Sequence, residues 1–385
     1  MKLKLLFIHL AIGCSLLTAC SDSGRDSDNG ALPPPEPEPV PEYSFTAVDD
    51  RFQRFLDDSE IFDGISYTLV DTTQGVVHES ALGDHTLDIV VMLASTSKVP
   101  AVTLMMAVND DESLDYDIEA SIDNYLPWEG VYGDRTTTQL VSNTSGIPGL
   151  TGLPEYGAHL CQYAAVGTLE ACGEIIYSTL LPSTQPADEA FNYGGSQWQL
   201  AGTVIEQVSN QTWRQAFSDY ISDPCELDVF QFGNMWSNQG AWSGNPDSLL
   251  GLDNPSIEGG AVSNMQDYAK LLLLHLRDGK CGDKQVLSKS SIEFMQVDRA
   301  GKFGTPYGMG WWIIADAAGG APSVFYDPGA YGAISWIDVE RGIGGYVAID
   351  DYTRAAAGDP IGLVLGEIID LVAAAVDEGR AAIAN

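Results

Sequence analysis

Apolar residues recur along this chain with two periods, and the switches between them lay out its architecture. Residues 49–56 repeat at helical spacing. Residues 64–71 (GISYTLVD) and 75–79 (GVVHE) alternate at strand spacing with a turn between them, which predicts a hairpin. Residues 99–108 are helical in pattern, an acidic loop covers 110–119, and a short apolar run follows at 122–126. Residues 190–222, 258–278 and 288–297 also read as helices. Strand patterns return at 307–314, 323–326, 332–339 and 344–349, and a helix over 360–376 closes the chain. Strands at both ends with helices between them predict an α/β fold of the α+β type. One antiparallel sheet is completed by the C-terminal part and flanked by helices, with a mostly helical region inserted at about 100–300.

The first 44 residues stand outside that pattern. Lys2 and Lys4 precede an apolar run from Leu5 to Leu17, and Leu17-Thr18-Ala19-Cys20 follows at once. The run is too short for a permanent membrane span and reads as a signal peptide over 1–19. Its last four residues resemble the lipobox of bacterial lipoproteins, in which the cysteine is lipidated and becomes the new N-terminus. That resemblance implies a lipid on Cys20, an exported protein and, with Ser21 next in line, anchoring at the outer membrane. Residues 20–44 are polar and then alternate Pro with Glu, a solvated tether of polyproline II character. The folded body is expected over 45–385.

Charge narrows the partners. The chain carries 18 basic and 54 acidic residues, a net charge of −36, spread rather than run together. Such a surface repels phosphate backbones and anionic headgroups. Nucleic acid is therefore excluded as a partner, and membrane contact is expected through the lipid alone. A monomer is expected, with no cofactor and no metal. Without Cys14 and Cys20, four cysteines remain, and an even number in an oxidising compartment predicts two disulfides. Proximity in sequence favours Cys161–Cys172 and Cys225–Cys281.

Several routes to chemistry are missing. The chain has no Gly-x-Ser-x-Gly elbow, no His-Glu-x-x-His and no glycine-rich phosphate loop after a strand. It does have one Ser-x-x-Lys, at Ser95-Thr96-Ser97-Lys98. A serine opening a helix shares a face with the residue three further on, so Lys98 can reach Ser95 without help from another element. A serine at that place is also an ordinary helix N-cap. In the chemical reading, the helix N-terminus and burial lower the lysine pKa, and a neutral Lys98 serves as base.

The surroundings favour chemistry. Residues 111–117 (DESLDYD) lead to Tyr125-Leu126-Pro127. Residues 136–148 (TTTQLVSNTSGIP) follow, then 191–202 (FNYGGSQWQLAG), Gly259-Gly260-Ala261-Val262-Ser263 and 307–312 (YGMGWW). In order and spacing this series resembles the class C β-lactamase and penicillin-binding-protein family, which includes esterases and D-aminopeptidases. The resemblance spans about 45–375 and implies a β-lactamase/transpeptidase-like fold. It implies that Ser95 attacks an acyl carbonyl to form an acyl-enzyme, with Lys98 and Tyr193 sharing the proton work. It further implies an oxyanion hole from the backbone N–H groups of Ser95 and Ala330.

The chain departs from the family in three places. Asn143 stands where histidine is usual. The Tyr-x-Asn motif is Tyr193-Gly194-Gly195, without its asparagine. The third motif, usually Lys-Thr-Gly or His-x-Gly, is Asp327-Pro328-Gly329. Gly195, Asp327 and Gly329 are thus expected to border the substrate, with Asp327 repelling a substrate carboxylate. These departures favour an esterase or small-amide hydrolase. A β-lactamase or D-Ala-type peptidase is the second reading, and a catalytically dead penicillin-recognising fold used as a surface binding protein is the third.

Overall fold

The computed structural model describes residues 40–384, except 60, 150–154, 235, 237–241, 315–320 and 352–361. The signal peptide, Cys20 and nearly all of the tether lie outside the described residues. Six strands form one antiparallel sheet: β1 (Gly64–Asp71), β2 (Gly75–Gly83), β3 (Trp312–Ile314), β4 (Val324–Pro328), β5 (Ile334–Asp338) and β6 (Ile343–Ala348). Their order across the sheet is β2-β1-β6-β5-β4-β3. The two ends of the chain therefore meet in the middle, with Ser66 paired to Ala348 and Asp71 to Ile343. Every residue of β1 is buried, as expected of a central strand covered on both faces.

Alternation along β1 divides it between two cores. Ile65, Tyr67 and Leu69 pack with Trp336 and Val347 beneath α1 (Thr46–Asp57) and the C-terminal helix, residues Gly362–Ala384. Val70, Ile337 and Tyr346 join the larger core on the other face. That core is built on α2 (Lys98–Asn109), α3 (Gly195–Ser209) and α4 (Met265–Leu276). Tyr268 of α4 stacks on Tyr346 of β6 at 4.3 Å between ring centroids. Helix α2 is buried along nearly its whole length, hydrophobic all round, and carries the rest of the insert. The C-terminal helix is α5.

The antiparallel sheet with flanking helices and a helical insert is as expected; several boundaries are not. Residues 261–263 form a strand rather than the start of a helix. They pair with Val91–Met92 and Gln231–Phe232 in a small three-stranded sheet, and α4 begins only after the Asn264 side chain caps it. Gly310, with φ 83°, breaks the strand expected over 307–314, leaving Trp312–Ile314. Asn210 enters the left-handed region and ends α3 inside the expected 190–222 helix. Helix α5 runs past Val376 to Ala384. Both disulfides form as expected, Cys161–Cys172 and Cys225–Cys281.

Asp71 fastens the β1–β2 turn to α5. Its Oδ1 accepts from the Thr73 and Gln74 backbone N–H groups, and its Oδ2 accepts from Tyr43 and Arg380. Burial alone would raise its carboxyl, but the Thr73 hydroxyl, the Gln74 and Thr73 N–H groups and Arg380 bring it down to about 2. A carboxyl lower in the folded than in the unfolded chain stabilises the fold above the unfolded value. That stability is lost as pH falls through about 4 towards about 2. Arg380→Ala should cost about 1–2 kcal/mol at neutral pH and move the acid-unfolding midpoint upward, as measured by circular dichroism. An unchanged midpoint would show that Arg380 does not hold Asp71.

Candidate active site

Ser95 sits where a strand turns sharply into a helix. Val91–Met92 pairs with Val262–Ser263, Leu93 N–H donates to the Ala261 carbonyl, and Ala94 then takes φ 47°. A non-glycine residue there is uncommon, and the turn is held from all sides. The Thr96 hydroxyl donates to the Asp327 and Ala333 carbonyls at 3.0 and 2.9 Å. The Ser97 hydroxyl accepts from the Ala261 N–H at 3.0 Å, and Tyr268 donates to the Thr96 carbonyl at 2.9 Å. Thr96, Ser97 and Lys98 are buried; of the four motif residues, only Ser95 retains exposure. Ser95 lies in a 3₁₀ turn (Ala94–Ser97), and α2 begins at Lys98, so the serine precedes the helix rather than opening it.

Lys98 reaches back as its spacing predicts. Its Nζ donates to Ser95 Oγ at 3.1 Å and to the Glu258 carbonyl at 2.9 Å. The Glu258 carboxylate is 3.5 Å away, with both side chains buried. Tyr193, just before α3, lies beside both Ser95 and Lys98. Its ring lies 4.7 Å from Lys98 Nζ and is walled by Trp312 at 5.7 Å, with Phe191 and Tyr307 each at 6.3 Å. Ser95, Lys98 and Tyr193, from three separate stretches of sequence, therefore converge.

The other named residues play different parts. Gly329 follows β4 and is buried against the Ser95 turn. A Cβ there would stand 2.1 Å from the Leu93 carbonyl oxygen and 2.8 Å from Thr96 Oγ1. Ala330 is exposed on the β4–β5 turn that this contact holds beside the serine. Asp327 is not a substrate-facing acid. The register of β4 against β5 pairs it with Ser335 and turns its side chain into the core, fully buried, where Oδ2 accepts from the Val99 N–H. Gly195 is likewise buried rather than bordering open space, with its Cα facing the Glu258 carboxylate. Asn143, in the left-handed region at φ 59°, accepts from Gln197 and Trp198 and ties α3 down.

Glu258 is the residue that sequence reasoning missed. The signpost Gly259-Gly260 was read, but the acid directly before it was not. Beside it, Trp236 and Tyr331 pack at a tilt, 5.4 Å between ring centroids, and with Met92 and Gly259 line a cleft against the Ser95 turn.

The acids reverse the expected state of the lysine. Burial pulls the Lys98 ammonium down, but Tyr193, Glu258 and Asp327 outweigh it, and the group stands above the ordinary lysine value. Tyr193 is raised by burial and by Asp327; Lys98 and the nearby Ser95 offset this only in part. Burial also pushes Asp327 well above the carboxylate range, despite Lys98 and the Val99 N–H. At rest the pair is ammonium and phenol, not a neutral lysine.

The Beta-lactamase family model matches residues 49–361. The chain belongs to the Beta-lactamase family. This is a family of serine hydrolases that includes esterases and penicillin-binding proteins. Penicillin-binding protein 4 of Amycolatopsis lactamdurans is 26% identical over 304 residues, which cover 73% of this chain and 77% of that protein. Two solved structures share the fold. A protein of Bacteroides dorei DSM 17855 assigned to the beta-lactamases has a TM-score of 0.68 at 23% identity, over 87% of this chain and 99% of its own. EstCE1, a hydrolase with promiscuous acyltransferase activity, has a TM-score of 0.67 at 17% identity, over 84% and 97%.

With both Lys98 and Tyr193 raised, a Ser95 hydroxyl beside them finds a proton acceptor only when the pair has lost one proton. That form accumulates as pH rises. The rate at which a fluorophosphonate labels the protein should therefore climb through about pH 8–10. A rate flat over that range would overturn this electrostatic picture.

Proposed function

We propose that the chain is a serine hydrolase working through an acyl-enzyme on Ser95, with uncharged esters or small amides as substrates. One observation carries the reading: a buried Lys98 Nζ 3.1 Å from Ser95 Oγ, with the Tyr193 ring 4.7 Å from the same Nζ. The serine proton passes to the Lys98–Tyr193 pair as Oγ adds to the acyl carbonyl. The resulting oxyanion meets the Ser95 and Ala330 N–H groups. As the tetrahedral centre collapses, the bond to the leaving group breaks, and that group takes the proton. Water then gives its proton to the same pair and attacks the acyl-enzyme, and Ser95 recovers a proton as the acid departs. Substrate charge follows from the cations: the buried Lys98 ammonium is already answered by the Glu258 carboxylate, and the third motif supplies no cation to hold a substrate carboxylate.

Purified protein should turn over short-chain p-nitrophenyl esters, and a fluorophosphonate should label the wild type but not Ser95→Ala. Turnover is expected to fall at least about a thousandfold in that variant. Labelling that survives Ser95→Ala would remove Ser95 as nucleophile, and an unlabelled wild type would leave the surface-binding reading. The 26% identity to a penicillin-binding protein supports the second reading, a β-lactamase or D-Ala-type peptidase. Faster acylation by a fluorescent penicillin than by esters would favour it.

We also propose that the protein is exported and anchored by lipid on Cys20, on the strength of the Lys2/Lys4, Leu5–Leu17 and Leu17-Thr18-Ala19-Cys20 series. Cells expressing the full chain should incorporate labelled palmitate into it. Cys20→Ala should abolish that label and release the protein from the membrane fraction; palmitate retained in the variant would refute the assignment.

A further inference from the structure

The position where relatives carry the asparagine of Tyr-x-Asn is Gly195, and the space in front of it is filled. A Cβ at residue 195 would stand 2.0 Å from Glu258 Oε1 and 2.3 Å from its carboxyl carbon. Both are far inside van der Waals contact, so no side chain at 195 coexists with Glu258 as it lies. The same carboxylate is 3.5 Å from Lys98 Nζ through Oε2, accepts from the Tyr163 hydroxyl at 3.0 Å through Oε1, and is almost wholly buried. Its own backbone carbonyl accepts from Lys98 at 2.9 Å. Glu258 thus grips the lysine twice, once with main chain and once with side chain, from a loop 160 residues away.

We propose that Glu258 is the positioning residue for Lys98, a carboxylate that has taken over the ground vacated by the asparagine, and that Gly195 is glycine because of it. The proposal rests on Ser95 and Lys98 being the reacting pair. A neutral amide partner would leave the lysine charge unbalanced; a carboxylate neutralises it and costs a glycine at the start of α3. Tyr163 holds the second carboxylate oxygen and in turn packs edge-on against Trp236 at 5.8 Å. Trp236 belongs to the cleft beside Ser95, so the anchor of the lysine is joined to a wall of that cleft. The groups facing Glu258 are Lys98 from α2, Tyr163 and Tyr156 from the 155–163 turn, and Tyr307 ahead of β3; Tyr193 and Asp327 face it across Lys98. Lys98 is the only cation among them.

Two sets of variants of the full chain test this by the rate of fluorophosphonate labelling against pH. Removing the negative charge in Glu258→Gln should make the Lys98–Tyr193 pair easier to deprotonate. The rising limb of labelling should then move to lower pH by about one unit or more. Gly195→Asn alone should slow labelling at least about tenfold, because its Cβ meets the carboxylate. Gly195→Asn with Glu258→Ala removes that collision and restores an asparagine beside Lys98; the amide end of Gln162, 2.4 Å from the same point, must turn aside. The double variant should recover most of the rate lost in Gly195→Asn. Wild-type melting behaviour in each variant separates these effects from loss of fold. An unshifted limb in folded Glu258→Gln, or a Gly195→Asn rate equal to wild type, would overturn the proposal while leaving Ser95 as nucleophile. A wild-type protein that takes no label would instead defeat the reading beneath it.

Discussion

Everything in this site depends on keeping one ammonium group out of water. A lysine side chain with no exposure needs its charge answered at short range, because a buried unpaired cation costs several kcal/mol. Lys98 answers it with a serine oxygen, a backbone carbonyl, two acids and an aromatic face. These come from four separate stretches of chain, Glu258 supplying both the carbonyl and one of the acids, and so the fold has to bring the strand before α2, the residues before α3, the loop before α4 and strand β4 to one point. The small sheet of 91–92, 231–232 and 261–263 fixes two of these relative to each other. The Thr96 hydroxyl, bonded to carbonyls on either side of the β4–β5 turn, fixes a third.

The same arrangement explains why Ser95 is the exposed member of its motif. Thr96 and Ser97 spend their hydroxyls on backbone groups, and Lys98 is drawn inward. The left-handed Ala94 swings the serine out at the point where the strand ends. Rigidity here is local and polar, whereas the cores on either side of the sheet are apolar and general.

How much of this could be read beforehand follows from distance along the chain. Ser95 and Lys98 were legible because residues three apart in a single turn of chain fix their own geometry. Tyr193 was legible only through the order of surrounding motifs, since nothing in its neighbours fixes where it points. The hairpin of β1 and β2 and both disulfides were near enough in sequence to be predicted. The partnership of Glu258 with Lys98 was not, because it is a contact across 160 residues whose only trace was an acid before two glycines. Asp327 was expected just past the 323–326 strand and facing the substrate, whereas the strand runs on to Pro328 and turns it the other way. Which face a strand residue takes depends on parity, and here the pairing with Ser335 sets it. The lysine was expected neutral because burial was weighed and the two acids were not.

The pairing of β1 with β6 has a consequence for how the molecule is made. The first strand of the sheet has β2 on one side and the last strand on the other, and close to 280 residues separate Ser66 from Ala348. While a ribosome is still at work, a hairpin waits with one edge unsatisfied and a hydrophobic helix, α2, without its cover. Non-local pairing of this kind is slow and leaves strand edges open to wrong partners. The sheet can close only once the last strand has arrived beside the first.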